Sequence, residues 1–202
     1  MLVTDFLSRV MPSVMGCPIP LAEMAIRDAA DELCRESRVL REAQSIPVVS
    51  GSNEYEVDTS TDGTFAVEVA FARIGDDDPL ELITPDLLNR IVTTTSAPRY
   101  IEQVSSSLVR LYPTPTLDGD LAITVVLSVL PSSASVPSAL DRWRDGIVGG
   151  ALARLMNMPG QPWSNPQMVA GYRGAFNLAV DSATTFATLG GAKATLRVQP
   201  HP

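Results

Sequence analysis

Leu108-Val109-Arg110-Leu111-Tyr112-Pro113-Thr114-Pro115-Thr116-Leu117-Asp118-Gly119-Asp120-Leu121-Ala122-Ile123-Thr124-Val125-Val126-Leu127-Ser128-Val129-Leu130 decides how this chain is read. Leu121, Ile123, Val125, Leu127 and Val129 recur at every second position, which places five aliphatic side chains on one face of a pleated strand. The alternate set, Ala122, Thr124, Val126, Ser128 and Leu130, is only half polar, so the strand is expected to be central or covered on both faces. Between the two apolar runs, Pro113 and Pro115 offer no amide donor and Asp118-Gly119 tolerates a turn. The pattern predicts a long antiparallel hairpin, with helices contributed by the chain before and after it.

Upstream of that segment, residues 2–11 place Leu2, Phe6, Leu7 and Val10 on one helical face, and Pro12 ends the run. From Leu21 to about Gln44, apolar residues recur at three and four, and Arg27, Asp28, Asp31, Glu32, Arg35, Glu36 and Arg38 fill the other side. Asp31 with Arg35, and Arg38 with Glu42, stand four apart and would support an exposed helical face. A β-rich block follows, in which Glu54–Asp58 and Thr64–Ile74 read as a second hairpin about Thr61-Asp62-Gly63. Leu80–Ile83 reads as a brief strand, Thr84–Leu88 as a capped short helix, and Pro98–Ile101 as the opening of another strand.

Ser132–Ser135 reads as a hinge, after which Leu140, Trp143, Ile147, Ala151 and Leu155 form an apolar helical stripe through Met158. Gly146, Gly149 and Gly150 weaken that helix and invite a neighbouring backbone to approach closely. A turn rich in proline, Met158–Pro166, carries Trp163, and a last helix is predicted from Pro166 to Leu189, stopped by Gly190-Gly191. Ala192–Pro202 reads as a loose extension with one strand-prone run, Ala194–Val198. The expected fold is therefore α+β: a helical bundle from N- and C-terminal helices (1–46 and 132–190), an inserted antiparallel β domain (47–131) and an extended tail (191–202).

The composition restricts function. The net charge of −8 argues against a face that grips nucleic-acid phosphates, since such affinity needs clustered Lys and Arg. The two cysteines, Cys17 and Cys34, read as free thiols in a reducing compartment. Val14-Met15-Gly16-Cys17 has the look of a lipoprotein box, but Asp5, Arg9 and Pro12 interrupt the apolar run a signal peptide requires, and no run is long enough to span a membrane. The single histidine, His201, leaves no Ser-His-Asp triad or histidine metal site within one subunit. Asp76-Asp77-Asp78 reads as a solvated acidic loop, because calcium loops space their ligands. No catalytic residue, cofactor or metal is expected.

The order of these segments resembles one family: the head-to-tail adaptor (connector or neck) proteins of tailed bacteriophages, of the kind that includes podophage tail tubular protein A. The likeness rests on the short first helix leading to Leu21–Gln44, Arg99-Tyr100 running through Leu111-Tyr112-Pro113-Thr114-Pro115, the strand ending Leu130-Pro131, and the helix pair about Gln161-Pro162-Trp163-Ser164. The resemblance implies a structural virion protein forming a ring, usually twelve-fold, that docks under the portal protein and continues its DNA channel toward the tail. It also implies a C-terminal extension that reaches into the portal, a role that falls on Lys193, Thr195, Leu196, Arg197 and Val198. Double-stranded DNA would pass without sequence-specific binding, and a tail or other neck protein would lie below. Independently of the family, Trp163 and Tyr172, and the small Gly149 and Gly150, are the residue types expected at contacts between subunits. Competing readings are a tail completion or terminator ring and a β-sandwich module that binds carbohydrate or protein. A tail-borne peptidoglycan hydrolase ranks last for want of an acid–base pair.

Overall fold

The structure, a computed structural model, describes residues 1–83 and 97–189. The chain is α+β, with N- and C-terminal helices packed on one another and two small sheets inserted between them. Helix α1 spans Thr4–Val10, α2 Ile19–Ser37, α3 Arg144–Met156 and α4 Pro166–Leu189. Strands β1 (Arg41–Val48), β7 (Gly119–Val129) and β3 (Thr64–Ile74) form one antiparallel sheet in that order. Strands β2 (Glu54–Glu56), β6 (Leu108–Tyr112), β5 (Tyr100–Ser105) and β4 (Glu81–Leu82) form the other, with β4 parallel to β5.

β7 is the centre strand, as its two-sided apolarity requires. Leu121, Ile123, Val125, Leu127 and Val129 are all buried on one face. On the other, Val126 and Ser128 are buried where α2 lies against the strand, and the Ser128 hydroxyl donates to the Asp31 carboxylate at 2.6 Å. One continuous core joins these residues to Ile101, Val109 and Leu111 of the second sheet and to Phe6, Ile26, Leu33, Ile147 and Phe176 of the helices. Gln103 of β5 ties the sheets together: its side-chain amide donates to the Val67 carbonyl, and its oxygen accepts from the Val69 amide of β3.

Both expected hairpins are corrected. β6 and β7 are consecutive but belong to different sheets, β7 pairing with β1 and β3. Pro113 and Pro115 cannot continue a ladder, and the apolar faces of β7 gain more from a strand on either edge than from one partner. Likewise β2 pairs with β6 and β3 with β7, so the segments flanking Gly63 diverge.

The helix expected to run to Gln44 ends at Ser37. Its hydroxyl turns back to the Leu33 carbonyl at 2.6 Å, and Arg38 takes a left-handed conformation with φ 54° that closes the helix. Arg41–Val48 is then an edge strand, the kind of strand that tolerates Pro47. The Asp31–Arg35 pair forms at 2.8 Å, but Arg38 reaches Glu68 instead of Glu42. Glu42 accepts from the Ser60 amide and the Thr61 hydroxyl. Those bonds outweigh burial and hold its carboxyl below the usual range.

Ser132–Ser135 is no hinge. Ser133 is buried, its hydroxyl accepting from the Ser135 amide, and the Val3 amide donates to the Ala134 carbonyl, fastening the start of the chain to this link. The next helix opens as a 3₁₀ turn, Ser138–Trp143, before α3. The short helix expected at 84–88 lies outside the described residues. α1 and α4 fall where the periodicity places them.

Candidate assembly surfaces

Gly146, Gly149 and Gly150 line the side of α3 that meets α4, and all three are buried. A Cβ on Gly146 would sit 2.2 Å from the Ala179 Cβ, and one on Gly150 2.6 Å from the Phe176 ring and 3.0 Å from the Ala29 Cβ. A Cβ on Gly149 would lie 3.1 Å from the Tyr172 carbonyl oxygen. These glycines let α2, α3 and α4 approach closely within one chain, so Gly149 and Gly150 present no surface. Tyr172 and Trp163 are half-buried against the same core, and the Trp163 Nε1 is buried without a partner. Trp143 is buried; its Nε1 donates to the Ser182 hydroxyl at 3.4 Å and its ring meets Phe186 edge-on, with Arg142 stacked 4.8 Å above Phe186. Lys193, Thr195, Leu196, Arg197 and Val198 lie outside the described residues.

Glu32 joins the three long helices. From α2 its carboxylate accepts from Arg173 of α4 at 2.5 Å and from Arg154 of α3. Burial pushes its pKa up, but the hydrogen bonds and charges of the two guanidiniums overcome it and hold the carboxyl below its ordinary value of 4.5. Because the folded pKa is the lower one, the unfolded chain binds more protons, and the bridge contributes fully above about pH 4.5 and is lost as pH falls through the folded value. Glu32→Gln should cost about 1–2 kcal/mol at pH 7, between exposed and buried pairs because Arg173 remains 42% exposed. Denaturant melts of both forms should converge as pH falls below about 4.5; curves that stay parallel as it falls would refute the bridge.

A second network lies on the four-stranded sheet. Arg110 donates to the Glu54 carboxylate at 2.5 Å and to the Tyr112 hydroxyl at 3.2 Å, and Tyr112 donates to the nearly buried Glu102 at 3.0 Å. The hydrogen bonds that Arg110 donates to Tyr112 and Glu54 push its pKa upward, so it is a fixed cation that holds β2 to β6. Every member has a partner, which suits a structural brace.

Nothing among the described residues is arranged for bond-making. Among the described residues no three His, Cys, Asp or Glu side chains converge to hold a metal ion. Both cysteines are buried, and burial pushes the Cys34 thiol up to about 12, which suppresses its thiolate. A cleft of about 250 Å³ lies between loops at one end of the β part, lined by Val48, Ile74, Asp76, Asp77, Pro98 and Asp118. Asp118 already accepts from the Ser50 amide at 2.7 Å, fastening the loop on its other side. No helix among the described residues is long and apolar enough to cross a membrane.

These features are those of a structural protein: interhelical packing, ionic braces and an acidic loop end, with no reactive centre among the described residues. Residues 1–199 match the SU10 adaptor protein family, and the chain belongs to it: it is a head-to-tail adaptor protein of phage, a structural component that links other parts of the virion. No curated protein matches the chain. Sequence reasoning had singled out the small residues of α3 but not Glu32, whose role was hidden among the solvated charges of α2. Its only signal was its place beside Ala25 and Ala29 on the face turned to α3 and α4.

Proposed function

We propose that copies of this chain form a ring, usually twelve-fold in such proteins, between the portal protein and the tail, and that the ring continues the DNA channel. The observation that carries this reading is the match to the adaptor family over residues 1–199. In this reading the helices at the two ends of the chain pack against neighbouring copies, and the two sheets between them, β1 included, face the tail or another neck protein. The acidic balance of the chain supports passage of double-stranded DNA without sequence-specific binding, because carboxylates repel phosphates and keep the duplex mobile. Asp76, Asp77, Asp78 and Asp118, on loops, and Asp120, at the start of β7, concentrate that charge at one end of the β part. The chain is made in the host cytoplasm and resides in the neck of the virion.

The tail, 191–202, inserts into the portal. Thr195, Leu196, Arg197 and Val198, with Lys193 just before them, add an extended segment to a portal edge or cleft, where main-chain hydrogen bonds supply affinity. Deleting residues 192–202 should leave the far-ultraviolet spectrum and melting midpoint unchanged and abolish co-sedimentation with assembled portal. Undiminished docking by the truncated chain would show the tail assignment to be wrong. Micrographs of the intact chain mixed with portal should show a ring beneath the portal, and a decorated particle without one would end the larger reading.

A further inference from the structure

We propose that the cleft at the outer end of the three-stranded sheet takes a lysine or arginine side chain from the virion protein that lies away from the portal. The inference deepens the reading in which the sheets face the tail or another neck protein, and it rests on that reading only for the side from which the partner comes. The cleft opens where β1 and β3 end and β7 begins, so Val48 stands opposite Gly119 and Ile74 opposite Leu121 in the register. Ser128, where α2 packs on the sheet, is about 30 Å further along β7. The cleft is therefore remote from α2.

Its walls are apolar and its rim is acidic. Val48 is buried, and Ile74, Pro98 and Pro115 line the space with it, about 250 Å³ in all. Leu117 borders the cleft while 79% exposed, and Val49, next to Val48, is 57% exposed. The Ser50 hydroxyl donates to the Thr116 carbonyl at 2.8 Å and the Gly51 amide to the Pro115 carbonyl at 2.9 Å, which holds these two loops together. Two exposed aliphatic side chains on adjoining loops, at the mouth of an apolar cleft, form a contact surface rather than scattered exposure. Asp76, Asp77 and Asp118 supply carboxylates. Among the described residues no lysine or arginine lies within 4 Å of any of the three.

The occupant follows from that combination. A long cationic side chain has a hydrocarbon stem that an apolar cleft shelters and a charged head that stays at the wet rim. A metal ion fits less well, since among the described residues no three carboxylates converge. Duplex DNA is repelled, because its phosphates have the same sign as the rim. A second copy of this chain is a poor source. It brings a net charge of −8, and Arg35, Arg110, Arg154 and Arg173 are among the arginines already held by carboxylates of their own chain.

The test titrates the full chain with n-butylguanidinium and, separately, with n-butylammonium, two heads on one stem, and follows methyl resonances by NMR. Val48, Ile74 and Leu117 should shift and saturate with a roughly millimolar constant, as suits so small a ligand, while Ile147 and Leu155 of α3 stay still. The tighter of the two heads tells arginine from lysine, and n-butanol should bind at least tenfold more weakly than either. Asp76→Asn, Asp77→Asn and Asp118→Asn together should weaken the cations at least tenfold with no fall in melting midpoint. Leu117→Ser, a change at an exposed position, should weaken them severalfold. Equal shifts with n-butanol, shifts that spread over the helices without saturating, or no shift at all would overturn the inference. So would dimers of the chain that n-butylguanidinium dissolves, which would make a second copy the occupant. The triple asparagine variant should co-sediment with assembled portal as well as the parent does; loss of that docking would set the cleft against the portal and overturn the inference equally. Failure of the parent itself to dock would remove the ring reading and leave the titration standing.

Discussion

Truncating Phe176 to alanine should lower stability by about 3–5 kcal/mol, the largest single-residue loss we expect. Its ring is fully buried, lies over Gly150, and sits beneath the Arg173 guanidinium at 5.1 Å. The void left behind would border α2, α3 and α4 together, and glycine and alanine walls have no side chains to swing into it. Against a typical total of about 5–15 kcal/mol, such a loss brings the helical part close to unfolding at room temperature. Guanidinium melts followed by tryptophan fluorescence would read it, since Trp143 and Trp163 both report on this region. A shift below 1 kcal/mol would mean that α4 is not packed as described.

Substituting Gly146 by alanine should also destabilise, against the ordinary rule for helix interiors. Alanine gains about 1 kcal/mol of helix propensity over glycine. At this site the new methyl would stand 2.2 Å from the Ala179 Cβ, so α3 and α4 must separate, a strain of about 1–3 kcal/mol or more. The variant with Ala179→Gly as well should recover most of that loss, because the second change removes the colliding atom. A cycle of the four chains measures the coupling directly. Coupling near zero would show that the helices do not cross there. Gly150→Ala should follow the same sign, since Phe176 and Ala29 close on it from two sides.

Much of this molecule could be read from residue order. β7 was recognisable as a covered strand because apolarity on both faces is incompatible with an exposed one, and α4 begins at Pro166 as its proline and periodicity indicate. Arg41–Val48 was misread because Arg41-Glu42-Ala43-Gln44 are good helix formers, and pairing with β7 overrides a local preference worth tenths of a kcal/mol per residue. The hairpins failed for a related reason: adjacency in sequence favours pairing, but a strand apolar on both sides accepts the neighbours that cover it best.

The sequence by itself determined the class of fold, the lack of any local motif for catalysis and the likeness to phage adaptors, because periodicity, residue type and segment order are carried locally along a chain. Only the tertiary structure decided which strands pair, that Glu32 bridges α3 and α4, and that two sets of glycines meet opposite surroundings. Gly146, Gly149 and Gly150 face walls of their own chain, and Gly171 and Gly174 face outward. Glycine reads alike in both helices, and what lies opposite a missing Cβ is set by residues far away in the sequence.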